Sequence, residues 1–209
     1  MDLLVYVEDI NSRVEYIFNH IFNHVLGLDI QLTKDRAFFL KSDNPKIQYC
    51  KQRIAQGIFF ASSSILFEKE IKKYNLKNMM YNDINILFTY DNDSSDLPFD
   101  PFAASFYMLT RYEEYIVDLK DNMGRFYVKE SVAYQHNFLS VPVVDYWILF
   151  LKNILYKKFP TICFKQHKFK YLNTIDIDNA FAYKHKGFLR TLGAILKNII
   201  QFNFKEINQ

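Results

Sequence analysis

A chain of 209 residues, half of them hydrophobic, can bury a sizeable core, which excludes a disordered chain and implies one large domain or slightly more. Its 15 Tyr and 21 Phe against 5 Gly and 5 Pro exclude collagenous, low-complexity and turn-rich all-β chains. With 26 basic and 23 acidic side chains the formal charge is only +3, too balanced to imply nucleic acid or a polyanion as partner.

Leu3 to Val7 is a short apolar run that reads as a buried strand. The positions Val14, Ile17, Phe18, Ile21 and Val25 then recur with helical period, and Gly27 ends that helix. Asp29 to Thr33 alternates as a second strand, so the opening is a βαβ-like unit and the expected class is α/β. Further strands are predicted over Lys46 to Tyr49, Gly57 to Phe60 and Asn85 to Tyr90, followed by a polar surface loop from Asp91 to Asp96.

Asp100 is placed to cap a helix and Pro101 to fill its first turn. That helix is expected to reach about Val117, with Phe102, Phe106, Leu109 and Ile116 on its buried stripe and Arg111, Glu113 and Glu114 off it. Asp121 to Gly124 reads as a turn. A second long helix starts at Pro142, buries Val144, Trp147, Ile148, Leu151, Ile154 and Leu155, and stops before Pro160. The basic stretch Lys165 to Lys168 marks a domain boundary, dividing residues 1–165 from 166–209.

Cys50 and Cys163 lack metal-ligand or redox spacing and are expected as two ordinary thiols. The N-terminus has no signal-like apolar region and no apolar run approaches the roughly 20 residues of a membrane span, so a cytoplasmic location is the default expectation.

Four candidate sites stand out. His20 and His24 have the i, i+4 spacing that lets two imidazoles meet one metal, although no third ligand accompanies them and a solvated surface pair is the plainer reading. Arg111, Glu113 and Glu114 form a charged cluster; adjacent helical residues do not face each other, so an ion-paired outer face competes with a catalytic carboxylate pair. The basic amphipathic stretch Phe188 to Phe202 suits either an anionic membrane surface or packing onto a preceding strand.

The fourth is Thr174-Ile175-Asp176-Ile177-Asp178-Asn179-Ala180, after an extended run from Phe169. In a strand Thr174, Asp176 and Asp178 share one face, with the two acids about 6 to 7 Å apart at Cα. Paired carboxylates repel until a cation or proton intervenes, which suits a metal or proton-transfer site, while Asp178 with Asn179 could also simply cap a following helix.

This acidic phrase resembles the first motif of the polysaccharide deacetylase (NodB homology) family. The stretches Leu97 to Tyr107, Arg111-Tyr112-Glu113-Glu114-Tyr115 and Gly124-Arg125-Phe126 resemble the uncharacterised N-terminal domain that precedes such a deacetylase in a group of bacterial proteins. The resemblance implies an N-terminal mixed α/β domain followed by the first βα unit of a (β/α) barrel. It implies a parent enzyme that hydrolyses N- or O-acetyl groups of an acetylated glycan with a divalent metal, zinc being the expected one. Asp176 would be the catalytic general base and Asp178 a metal ligand. The family's acids are adjacent, whereas Ile177 intervenes here, so the two roles could be exchanged or shared.

Such a barrel needs on the order of 200 residues, and after Asp178 the one histidine is His185, without the paired-histidine motif. The chain alone is therefore expected to be inactive, to hold no stoichiometric zinc, and to self-associate through an incomplete barrel edge. The competing expectation is a self-contained binding or interaction module.

Overall fold

The computed structural model describes residues 2–90, 95–166, 168–176 and the single positions 187, 192, 193 and 197. The chain divides into two compact units, Met1–Gln166 and His167–Gln209. The first is mixed α/β. Its strand β1 (Leu3–Val7) leads through helix α1 (Ser12–Phe18) into a π-helical continuation, Asn19–Leu26. Asn11 starts α1 by accepting hydrogen bonds from the amides of Arg13 and Val14 at 3.0 and 3.1 Å. Wider π turns rotate the buried stripe, so Phe22 and Leu26 are buried where straight helical spacing predicts Val25.

Strand β2 (Ile30–Thr33), helix α2 (Arg36–Lys41), strand β3 (Lys46–Cys50) and strand β4 (Ile58–Ala61) complete a four-stranded parallel sheet in the order β2-β1-β3-β4. Alternation along the strands sends Leu3, Val5, Val7, Ile47, Tyr49, Ile58 and Phe60 into the main core. On the opposite face Tyr6 meets Phe39 of α2 with ring centroids 5.5 Å apart. Gln48 is also there, buried but satisfied. Its Oε1 accepts the amides of Ile54 and Ala55 at 2.7 and 3.1 Å, and its Nε2 donates to the Ala55 carbonyl.

The expected strand over Asn85 to Tyr90 is shorter and pairs elsewhere. Strand β5 (Met79–Tyr81) and strand β6 (Ile84–Ile86) form an antiparallel hairpin outside the main sheet. Its two-residue turn puts Asn82 and Asp83 at positive φ, the backbone a tight hairpin requires.

Asp100 caps helix α3 (Pro101–Leu109) as its sequence signature predicts. The helix does not reach Val117. The Thr110 hydroxyl bonds back to the Phe106 carbonyl at 2.7 Å, Arg111 adopts left-handed backbone (φ 51°), and a 3-10 turn, Tyr112–Tyr115, takes over. Nor is α3 amphipathic: every residue from Pro101 to Tyr107 is buried, while Leu109 is exposed. Short helix α4 (Val132–Gln135) and long helix α5 (Val143–Lys158) follow, and α5 buries Val143, Trp147, Ile148, Leu151 and Leu155. The indole N–H of Trp147 donates to the Asn85 carbonyl at 2.9 Å, tying α5 to β6.

Gly27 has φ 67°, and a Cβ there would lie 2.5 Å from Lys165 Cβ; the Lys165 amide meanwhile donates to the Leu26 carbonyl at 2.8 Å. Gly27→Ala therefore adds left-handed strain and a clash. A loss of about 2 kcal/mol is expected, read from urea unfolding. An unchanged midpoint would mean that the 161–166 segment is free to move away.

In the second unit no strand forms over residues 168–176: Phe169 and Ile175 are 93% and 74% exposed, and Asp176 is exposed as well. This corrects the predicted extended run. A strand's two faces exist only where neighbours pair with it, and among the described residues none pairs with this segment. Asp178, His185 and all but a few positions of the stretch 188–202 lie outside the described residues. So do Asp91 to Ser94 of the predicted surface loop. Among the described residues, no helix is long and apolar enough to cross a membrane.

Candidate functional site

Two of the sequence phrases that stand nine residues apart line one groove of about 820 Å³. On one side the left-handed Arg111 starts the 3-10 turn that carries Glu114 and Tyr115. On the other, residues 120–126 fold back on themselves. The Asp121 amide donates to the Arg125 carbonyl at 2.8 Å and the Gly124 amide to the Asp121 carbonyl at 2.9 Å, with Gly124 at φ 75°. Lys120 and Phe126 thereby face each other as an antiparallel bridge, and Tyr127 and Val128 close the groove.

Both arginines are held by carboxylates of their own segment. Arg111 Nε and Nη2 engage Glu114 Oε1. Arg125 Nε and Nη2 both lie 2.9 Å from Asp121 Oδ2. Asp121 Oδ1 also accepts the amides of Met123 and Arg125 at 2.8 and 2.9 Å. These bonds, the Arg125 amide foremost, hold the Asp121 carboxyl below the usual carboxylate range and keep it ionised. The groove thus carries mixed charge, exposed aromatic surface and two guanidinium groups fixed along one edge each.

At the opposite end of α3 from Arg111 lies a buried polar node. Asp100 is 0% exposed. Its Oδ1 accepts the amides of Phe102 and Ala103 at 3.0 and 2.9 Å; its Oδ2 accepts the Tyr49 hydroxyl and the Ser63 amide, both at 2.7 Å. Burial pushes the Asp100 carboxyl up to about 6 despite these donors, and it raises the Tyr49 and Tyr90 hydroxyls as well. Asp100 has no access to solvent, so this is a structural pin joining β3, the end of β4 and α3.

The model of a family of unknown function, DUF7033, matches residues 3–160. The chain belongs to that family. No curated protein and no solved structure matches it. The DUF7033 match takes in the groove and the Asp100 node, and it ends before Thr174.

The remaining sequence candidates of this DUF7033 protein are spread out. His20 is half-buried and His24 exposed, with ring centroids 6.3 Å apart; burial first, and His24 second, pull the His20 imidazole below its ordinary value. Glu113 and Glu114 diverge. Glu113 turns inward, its Oε2 accepting the Val132 amide at 2.9 Å at the start of α4, and burial raises its carboxyl. Glu114 stays outside with Arg111, so the ion-paired outer face is the arrangement found. Cys50 is a buried thiol, pushed up to about 11 by burial, and Cys163 an exposed one. Among the described residues, no three His, Cys, Asp or Glu side chains gather to hold a metal ion.

Lys120, Asp121 and Tyr127 were not legible as groove residues. The one local signal was the turn at Asp121 to Gly124, which returns the chain on itself and brings Arg125 and Phe126 back toward Arg111.

Proposed function

We propose that residues 3–166 form an accessory domain set ahead of a metal-dependent carbohydrate deacetylase domain whose leading segment carries Asp176 and Asp178. The observation that supports this reading is a boundary: the family match stops at residue 160 and the compact unit at Gln166, and the acidic phrase begins just afterwards, at Thr174. In this reading the substrate is an acetylated glycan. Asp176 is the general base and Asp178 a ligand of a divalent metal, zinc being the expected one. The described residues do not by themselves fit a metal ion, so the other ligands would come from the rest of the parent enzyme.

A second reading, a self-contained binding module, is favoured by one feature: Asp176 is exposed and outside any strand. The two readings separate in the native gene product, purified from its own cells and assayed for acetate released from an acetylated oligosaccharide with zinc present. Release that falls by roughly 10²- to 10⁴-fold in Asp176→Asn, the usual loss for a general base, supports the enzyme. No release, or release indifferent to Asp176→Asn, leaves the binding module.

A further inference from the structure

We infer that the groove between the turn Tyr112–Tyr115 and the 120–128 segment binds a carboxylate-bearing sugar. The inference rests on the reading of this unit as the accessory domain of a carbohydrate-processing protein, but binding is measured without catalysis.

Three observations carry it. The groove offers aromatic surface to solvent: Tyr115 is 69% exposed on one side, and the half-buried Phe126 and Tyr127 line the same groove. The apolar face of a pyranose ring packs on such surfaces, whereas buried aromatics in this fold serve the core. Next, the groove lining holds both donors and acceptors. Arg111, Lys120 and Arg125 stand beside Glu114 and Asp121, three cations against two carboxylates. Vicinal hydroxyls use both kinds of partner.

Third, the cations are arranged to receive a carboxylate. Each guanidinium is held through Nε and Nη2 by its own acid, and among the described residues its remaining N–H groups have no other partner. Lys120 makes no ion pair among the described residues, which leaves one net positive charge for the incoming acid. Arg111 is held there in left-handed backbone, a conformation that strains a non-glycine residue and is found preferentially at ligand sites. The groove volume, about 820 Å³, lies in the range of small-molecule sites.

The test is titration calorimetry of the full chain with a galacturonic acid trimer, its methyl ester and inorganic phosphate, without metal. The trimer is expected to bind saturably and the ester more weakly by about tenfold, the loss of one charge-assisted contact. Tyr115→Ala should weaken the trimer by about tenfold, and Arg125→Lys should fail to restore what Arg125→Ala removes, since an ammonium cannot reproduce the fork. Both side chains are exposed, so unchanged melting curves are expected to show that the variants fold. Equal binding of the ester, phosphate binding as tight as the trimer, or trimer binding indifferent to both variants overturns the proposal. Acetate release by the parent enzyme without trimer binding removes only this inference; trimer binding without acetate release removes only the deacetylase.

Discussion

Asp100→Ala is expected to lower the unfolding free energy by about 4 kcal/mol. The substitution removes the N-cap of α3, worth about 1 kcal/mol. It also strands the Tyr49 hydroxyl and the Ser63 amide, each of which loses its 2.7 Å partner at a buried or half-buried site, at about 1–3 kcal/mol apiece. For a domain of this size the change corresponds to a fall in Tm of roughly 10 °C, read by circular dichroism. A loss under 1 kcal/mol would mean that solvent reaches the node and replaces the carboxylate.

The same residue has a pH signature of unusual sign. Burial raises the folded-state carboxyl from its ordinary 3.8 to about 6, so between these values the folded state holds the proton more tightly than the unfolded chain. The contribution of Asp100 to stability is therefore fully present below about 4 and is lost as pH rises through about 6. Carboxylates depressed in the fold, such as Asp121 and Glu68, act in the opposite direction. Asp100→Asn should abolish the Asp100 component of the pH dependence while keeping an acceptor for the α3 amides. Denaturant midpoints for wild type and variant from pH 3 to 7 should coincide near pH 4, draw apart as pH rises from about 4 to about 6, and keep a constant separation above that. Parallel curves would show that Asp100 titrates normally.

Phe102→Ala should cost about 3–5 kcal/mol, the range for truncating a fully buried phenylalanine. Phe102 stacks on Phe18 with centroids 4.3 Å apart and planes 11° from parallel, and it meets Phe22, Tyr49 and Phe60 at 5.9, 5.1 and 5.6 Å. It is thus the contact through which α1, the π-helical turn, β3, β4 and α3 share one core. Tyr49 links this position to Asp100, giving its ring to Phe102 and its hydroxyl to the carboxylate. The double variant should therefore lose at least 0.5 kcal/mol less than the two single losses together. Strict additivity in urea unfolding would mean that the cap and the aromatic cluster are independent.

The contrast between Asp100 and Asp176 shows which carboxylates are legible in a sequence. Asp100 stands before Pro101 and an apolar helical run, so the capping of two amides is a local matter, decided within three residues. Its bonds to Tyr49 and Ser63 were not readable, because Tyr49 lies on β3 and Ser63 just beyond β4, both placed by the sheet. Asp176 depended wholly on a strand that needs neighbours, and the described segment around it has none. The break of α3 at Arg111 was hidden for a related reason. No glycine or proline marks it, and a left-handed arginine is held there by the Thr110 back-bond, the Glu114 pair and the packing of the following turn.

By itself the sequence determined the mixed α/β class, the parallel βαβ opening, the Asp100–Pro101 helix start and the buried side of α5. Each of these follows from hydrophobic period, capping chemistry or proline, interactions that span a few residues. Only the tertiary structure decided the order β2-β1-β3-β4, the π-helical shift of burial to Phe22 and Leu26, and the hairpin of β5 and β6. It alone also brought Arg111 and Tyr115 beside Lys120, Arg125 and Phe126. Those outcomes depend on which surfaces meet once backbone bonds and apolar faces are satisfied across the whole unit, and no local spacing encodes that choice.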